Sequence, residues 1–166
     1  MNRRVALIVP LLAAALLAGS AGAIELVSDA SPAASASVLS ARPSRDITPG
    51  ALNPDVTQDT VQDTICRRGW TASVRPSSTY TTDVKKRQIV LYGYADTKLG
   101  DYEEDHLIPL ELGGAPRDEH NLWPEPITQA KLKDHDENSL HSAVCSGRVS
   151  LADARSRMLR DWGPSA

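Results

Sequence analysis

The chain contains no phenylalanine, and aromatic residues make up only 4% of its 166 positions. A small domain without phenylalanine needs other large apolar side chains to fill its interior. We therefore expect the three tryptophans, Trp70, Trp123 and Trp162, to contribute to a core rather than to stack on bases.

Long apolar runs are also absent, because the longest one falls short of the roughly 20 residues that cross a bilayer. This run, residues 5–17, follows a basic start at Arg3 and Arg4 and precedes small residues that end at Ala23. The order is typical of a cleavable signal peptide over residues 1–23, with an uncleaved anchor as the alternative. We expect a secreted or periplasmic protein with no membrane span after cleavage.

Cysteine is scarce, and its two copies, Cys66 and Cys145, form no C-x-x-C pair. The absence of such a pair excludes a structural zinc knuckle. Two cysteines allow one pairing, and an exported protein meets an oxidising compartment. A disulfide between Cys66 and Cys145 is therefore predicted, with two free buried thiols as the alternative.

An excess of positive charge is missing too, since 18 lysines and arginines face 21 aspartates and glutamates. The formal net charge of −3 at pH 7 excludes a protein that coats nucleic acid by bulk charge. A nucleic-acid site must then be a local basic patch. The basic residues that could form it are Arg67, Arg68, Arg75, Lys85, Lys86 and Arg87. These residues could equally be ordinary exposed charges.

Composition and periodicity divide the rest of the chain into a spacer and one domain. Residues 24–52 are rich in serine, alanine and proline, and this composition predicts a disordered spacer. Residues 53–163 are predicted to fold. Helical spacing of apolar residues predicts four helices, over residues 53–66, 84–92, 127–144 and 151–162. Extended segments at 102–112 and 121–123 flank a Gly-Gly turn. This order predicts an α+β fold, with helices around a two-stranded hairpin.

The most informative stretch is residues 102–114, which read Tyr-Glu-Glu-Asp-His-Leu-Ile-Pro-Leu-Glu-Leu-Gly-Gly. Asn121 and Leu122 follow, with Asn121 fifteen residues after His106. The combination resembles the ββα-metal core of HNH (His-Me finger) endonucleases, whose pattern is Asp-His-x-x-Pro, an apolar residue, Gly-Gly and then Asn-Leu. The resemblance covers about residues 102–138 and implies a ββα core over about residues 102–144.

The resemblance implies a role for each matching residue. His106 would be the general base that takes a proton from the attacking water. Asp105 would hold a divalent cation through oxygen, and Asn121 would orient either the loop or the imidazole. The implied cofactor is a divalent metal ion, foremost Mg²⁺ or Mn²⁺, with Zn²⁺ or Ni²⁺ as alternatives. We expect the neighbouring Glu103 and Glu104 to be solvated, with a contribution to metal binding as the alternative.

The third position of the motif departs from the family pattern. The family usually has His or Asn nine or ten residues after the middle Asn, where this chain has Ala130 and Lys131. Polar residues slightly later on the predicted helix are Asp134, His135, Glu137 and Asn138. Asp134 and Glu137, three residues apart, share a helix face and are the predicted metal ligands from this helix.

The resemblance implies an exported, metal-dependent nuclease that hydrolyses DNA or RNA as a monomer. The first alternative is a non-catalytic binding module that keeps the scaffold but has lost the third metal ligand. The second is a hydrolase of another phosphodiester or of an envelope polymer. The sequence indicates no preference between DNA and RNA and no inhibitor protein as a partner.

Overall fold

The computed structural model describes residues 41–165, so the predicted signal peptide and residues 24–40 of the predicted spacer lie outside the described residues. The helices are α1 (Trp70–Val74), α2 (Ser78–Leu91), α3 (Ile127–Cys145) and α4 (Leu151–Trp162), and the strands are β1 (Tyr102–His106) and β2 (Leu122–Pro126). Short 3₁₀ helices lie at Leu99–Asp101, Leu110–Leu112 and Glu119–Asn121. The predicted α+β class is confirmed. No helix within residues 41–165 has the length and apolarity needed to cross a membrane.

Strands β1 and β2 form an antiparallel pair, with Tyr102 opposite Pro126 and His106 opposite Leu122. All five residues of β2 are buried, whereas β1 alternates between buried and more exposed positions. Successive side chains on a strand point to opposite faces. Glu104 and His106 therefore share one face of β1, and Asp105 lies on the other.

Local capping explains where two of the helices begin. The Ser77 side chain accepts a hydrogen bond from the N–H of Tyr80 at the start of α2. The Ser150 side chain does the same for the N–H of Asp153 at the start of α4. Such caps satisfy N–H groups that have no partner within the helix. Helix α4 has the predicted bounds, and α2 begins before the predicted residue 84 because Ser77 supplies an earlier cap.

The segment predicted as a helix over residues 53–66 forms successive turns instead. The Thr60 hydroxyl donates to the carbonyl of Asp55 and accepts from the N–H of Thr57. Local bonds of this kind compete with helical hydrogen bonding. The apolar residues of the segment are nevertheless buried: Val56, Val61 and Ile65. Just beyond it, helix α1 lies between the first two predicted helices, where the sequence predicted no helix or strand.

The main apolar core joins these turns to α1, α3 and α4. Its largest buried members include Ile65, Trp70, Leu112, Leu151 and Met158. A disulfide between Cys66 and Cys145 ties the turns to the end of α3, with 5.5 Å between the Cα atoms. The predicted pairing is confirmed. A cross-link that closes a loop of this length stabilises the fold by about 4 kcal/mol in the chain-entropy model.

Residues 41–52, part of the predicted spacer, pack on the hairpin and its connecting loop. Thr48 is fully buried and its hydroxyl donates to the carbonyl of Leu122 at 3.0 Å. Leu52 pairs with Gly114 in an isolated bridge. This corrects the predicted boundary at residue 52, because the folded part begins earlier. Backbone hydrogen bonds rather than apolar side chains hold much of this segment, and composition does not reveal them.

Candidate functional site

Asn121 ties together the loop between β1 and β2. Its Oδ1 accepts the N–H of Ile108 at 2.9 Å, and its Nδ2 donates to the carbonyls of Ile108 at 3.0 Å and Ala115 at 3.2 Å. The side chain is completely buried. Of the two orienting roles left open for Asn121, these contacts favour orientation of the loop. They hold the chain immediately after His106.

The Gly-Gly turn is required by the close approach of this loop to itself. A Cβ on Gly114 would lie 1.8 Å from the carbonyl oxygen of Ile108 and 2.7 Å from Nδ2 of Asn121. Gly113 has a φ of 76°, in the left-handed region that favours glycine. Gly114 is therefore explained by its contact with Ile108 and Asn121, and Gly113 by its backbone conformation.

His106 ends β1 with its imidazole oriented by a single backbone group. Its Nε2–H donates to the carbonyl of Pro116 at 3.0 Å. A carbonyl only accepts, so Nδ1 is left as the basic nitrogen of the neutral ring. Burial lowers the pKa of His106, and the carbonyl of Pro116 and the Asp105 carboxylate only partly oppose this shift. The ring is therefore neutral at pH 7.

His106 lines a cavity of about 400 Å³ between α2 and β1. The charged residues that line it with His106 are Arg75, Lys85, Glu103 and Glu104. The Lys85 ammonium donates to the carbonyls of Leu99 at 2.8 Å and Tyr102 at 2.7 Å, which holds its position. The cavity thus combines a base with cationic groups.

Glu104 is an unpartnered carboxyl in the same cavity, where the sequence predicted a solvated side chain. Its exposure is 9%, and neither carboxyl oxygen has a hydrogen-bond partner among the described residues. Burial raises the pKa of Glu104 to about 8, although the nearby Lys85 opposes the shift. At pH 7 the group is mostly protonated. The polar stretch Tyr-Glu-Glu-Asp-His is typical of a solvated segment, so the sequence did not reveal the burial of Glu104.

On the opposite face of β1, Asp105 belongs to a buried ionic cluster around Lys133. The Lys133 ammonium donates to Asp105 Oδ2 at 2.6 Å, to the carbonyl of His106 at 2.9 Å and to the Glu137 carboxylate. The Glu125 carboxylate lies 3.9 Å away. Burial opposes ionisation of Asp105, but the Lys133 ammonium together with Glu125 and His106 outweighs it, and the pKa of Asp105 falls to about 2.

The three predicted metal ligands do not converge on one point. Asp105 and Glu137 both contact Lys133, whereas Asp134 is exposed and shares with Glu137 the lining of a second cavity of about 330 Å³. Lys133 and Glu125 were missed by reasoning from the sequence. The Lys133–Glu137 pair has the i,i+4 spacing of a helical ion pair, which was the available signal.

A divalent cation does not fit among these residues as they are arranged. The Lys133 ammonium already lies among the carboxylates, and both Asp105 oxygens are engaged. Oδ1 accepts the N–H of His106 at 2.8 Å, and Oδ2 accepts from Lys133. A second cation beside the ammonium would meet strong repulsion in a poorly solvated interior. No chemical step is therefore assigned to a metal at this place.

A different group has metal-binding spacing. Ligand atoms of Cys66, His141 and Cys145 lie within 4.8 Å of one another, close enough that the group could bind a metal ion. In this structure the sulfurs form the disulfide, and sulfur binds metals as thiolate. The group therefore becomes a candidate metal site only after reduction. His141 is held in place because its Nε2–H donates to the carbonyl of Ile65 at 2.9 Å.

The predicted nucleic-acid contacts are spread over several places. Lys85 lines the cavity beside His106, and Arg75 lines both cavities. Lys86 pairs with Asp83 at 3.2 Å, and Arg87 pairs with Glu119. Arg67 and Arg68 are exposed and line neither cavity. The contacts proposed below are therefore those of Arg75 and Lys85.

Searches of protein-family models, curated proteins and solved structures found no match to this chain. The likeness to HNH endonucleases over residues 102–138 thus stays a prediction. Function has to be inferred from the geometry around His106.

Proposed function

We propose that this protein is an exported hydrolase of phosphodiester bonds in nucleic acid, with His106 as its general base. The observation that carries the proposal is the state of the His106 imidazole. Its Nε2–H is committed to the Pro116 carbonyl, and the ring lines a cavity with cationic groups. A histidine with one nitrogen held by a backbone carbonyl has a defined tautomer, as a general base requires.

The charge of the cavity suits a phosphodiester. Arg75 and Lys85 supply positive charge for a phosphate group that enters beside His106. The neutral His106 accepts a proton from the attacking water, because burial keeps its pKa below the usual value. Glu104, protonated at neutral pH, is able to donate a proton to the leaving oxygen. Base, acid and anion contacts are thus available on one face of β1.

A second candidate is a non-catalytic module that binds nucleic acid. The observation in its favour is that Lys133 lies where the resemblance implies the catalytic cation. A scaffold of this kind would use Arg75 and Lys85 to contact phosphates without hydrolysing them. The two candidates differ in whether the bound polymer is cut.

The test is incubation of the purified exported protein with plasmid DNA and with end-labelled RNA, each in Mg²⁺, Mn²⁺ or EDTA. We expect cleavage of at least one polymer by the wild type and its loss in His106→Ala. The matched control is His120→Ala, because His120 is exposed and pairs only with Asp118. Binding without cleavage in every buffer would favour the binding module. A protein that neither binds nor cleaves either polymer would contradict both candidates.

A further inference from the structure

Lys133, at the centre of the ionic cluster, is more buried and has more hydrogen-bond partners than the lysine of an ordinary ion pair. Its exposure is 1%, and all three ammonium protons have oxygen acceptors. An ammonium has three donors and no acceptor, so its hydrogen-bonding capacity is used completely. The acceptors come from the end of β1 and from α3.

The oxygens around Lys133 resemble the ligand set of a hard cation. The carboxyl groups of Asp105, Glu125 and Glu137 and the carbonyl of His106 face one positive centre. Carboxylate and carbonyl oxygens are the ligands that Mg²⁺, Ca²⁺ and Mn²⁺ prefer. They are contributed by β1, β2 and α3, the three elements that the resemblance to HNH endonucleases would make the metal-binding core.

We propose that the Lys133 ammonium is a built-in cation that takes the place of a divalent metal ion in this cluster. Asp105 and Glu137 then bind no metal in the wild-type protein. A metal would have to displace an ammonium that is fully hydrogen-bonded and only 1% exposed. Moving that charge elsewhere in the interior would leave it unpaired, which is strongly unfavourable. Where the proposed phosphodiesterase function also holds, its chemistry needs no divalent cation in the cluster.

The direct test is Mn²⁺ binding, which does not depend on activity. Substoichiometric Mn²⁺ is added to the isotope-labelled wild type, and paramagnetic broadening of the amide signals of Asp105, His106 and Glu137 is measured. We expect no selective broadening of these signals. Selective broadening that disappears in Asp105→Asn would show that the wild type binds metal there, and would overturn the proposal.

The complementary test removes the ammonium. Lys133→Ala leaves three carboxyl groups and an open space, so this variant should gain Mn²⁺ binding as the metal displaces their protons. Mn²⁺ at about 100 times its Kd should raise the melting temperature of Lys133→Ala by roughly 10 °C and leave the wild type unchanged. Lys133→Met is the matched control, because it fills the space without charge and should gain little. A folded Lys133→Ala protein that binds no Mn²⁺ would contradict the proposal.

Two further measurements distinguish failure of the built-in cation from failure of the proposed function. In the Lys133→Ala background, Asp105→Asn should abolish the gained Mn²⁺ binding, because it removes a carboxylate ligand. If Lys133→Ala fails to fold, the broadening measurement on the wild type decides. Cleavage by the wild type in EDTA would agree with the proposal. A wild type that cuts neither polymer and shows no broadening would contradict the proposed function while supporting the built-in cation.

Discussion

The two faces of strand β1 bury charged residues in opposite ways. On one face, Asp105 joins Lys133 and Glu137 in a cluster where the ammonium is fully paired. On the other, Glu104 is buried without a partner for either oxygen among residues 41–165, and it lines the cavity together with His106. Neighbouring residues of one strand therefore occupy a satisfied and an unsatisfied environment.

This difference in hydrogen bonding indicates a structural role for one face of β1 and a chemical role for the other. A buried ionic cluster whose central ammonium is fully hydrogen-bonded holds strands and helix in one arrangement, and it leaves few groups free to react. An unpaired buried carboxyl costs about 1–3 kcal/mol or more, so its retention calls for an explanation in function. Perturbed groups in a cavity are typical of functional sites. We therefore propose that the face with Glu104 and His106 is the reactive one.

The largest expected effect is on the reactive face. His106→Ala should reduce kcat/KM for the cleaved polymer by about 10²–10⁴-fold, because the general base is lost. The melting temperature should fall by a few degrees, since the bond to the Pro116 carbonyl is also lost. Melting curves recorded beside the kinetics separate these effects. Undiminished cleavage by the folded variant would remove the basis for calling this face reactive.

The largest expected effect on stability is on the face of β1 where Asp105 pairs with Lys133. Asp105→Asn should lower the free energy of unfolding by about 3–5 kcal/mol, because it leaves the Lys133 charge undercompensated in the interior. Urea denaturation at pH 7 measures the change. Asp134→Asn is the control on α3 and should change stability by less than about 0.5 kcal/mol, because Asp134 is exposed. Equal effects of the two substitutions would contradict the comparison.

The pH dependence of the Asp105 contribution follows from its lowered pKa. The folded-state pKa of about 2 lies below the ordinary value of 3.8, so ionised Asp105 favours the folded state. Its contribution is present above pH 3.8 and is lost as the pH falls towards 2. The stability difference between wild type and Asp105→Asn should therefore shrink in acid.

An effect of opposite sign is expected at Glu104. Its folded-state pKa of about 8 lies above the ordinary 4.5, so ionisation destabilises the fold as the pH rises from 4.5 to 8. Glu104→Gln should match the wild type near pH 4 and be more stable at pH 8, by up to about 4 kcal/mol. Urea denaturation across this range tests it. A constant difference across the range would show that Glu104 does not ionise there.

Glu104→Gln also tests the chemistry of the reactive face. The amide cannot donate a proton to the leaving oxygen, so cleavage should fall while stability rises. Replacement of a catalytic group commonly raises stability and lowers activity. Unchanged cleavage would limit the acid–base chemistry of the face to His106.

The smallest expected effect concerns binding. Arg75→Ala should weaken nucleic-acid binding about tenfold or less and reduce the slope of log K against log salt by about 1, as for one lost phosphate contact. Fluorescence anisotropy at several salt concentrations measures both. Arg68→Ala is the control, because Arg68 is exposed but lines neither cavity. A larger effect of Arg68→Ala would place the polymer elsewhere on the surface.

Features set by neighbouring residues could be predicted from the sequence. The α+β class, the bounds of α4, the hairpin and the Gly-Gly turn follow from periodicity, capping residues and conformational preference. The disulfide followed from the number of cysteines and the expected compartment. The helix predicted over residues 53–66 failed because threonine side chains bond to the backbone there.

The sequence by itself determined which residue types gather around β1: a histidine, several carboxylates and the asparagine of the loop. Only the tertiary structure decided how they are paired. Strand alternation sends Asp105 and His106 to opposite faces, and the rotation of α3 brings Lys133 and Glu137, but not Asp134, against Asp105. The cation in the cluster is therefore a lysine side chain, because packing of β1, β2 and α3 sets distances that spacing along the chain does not encode.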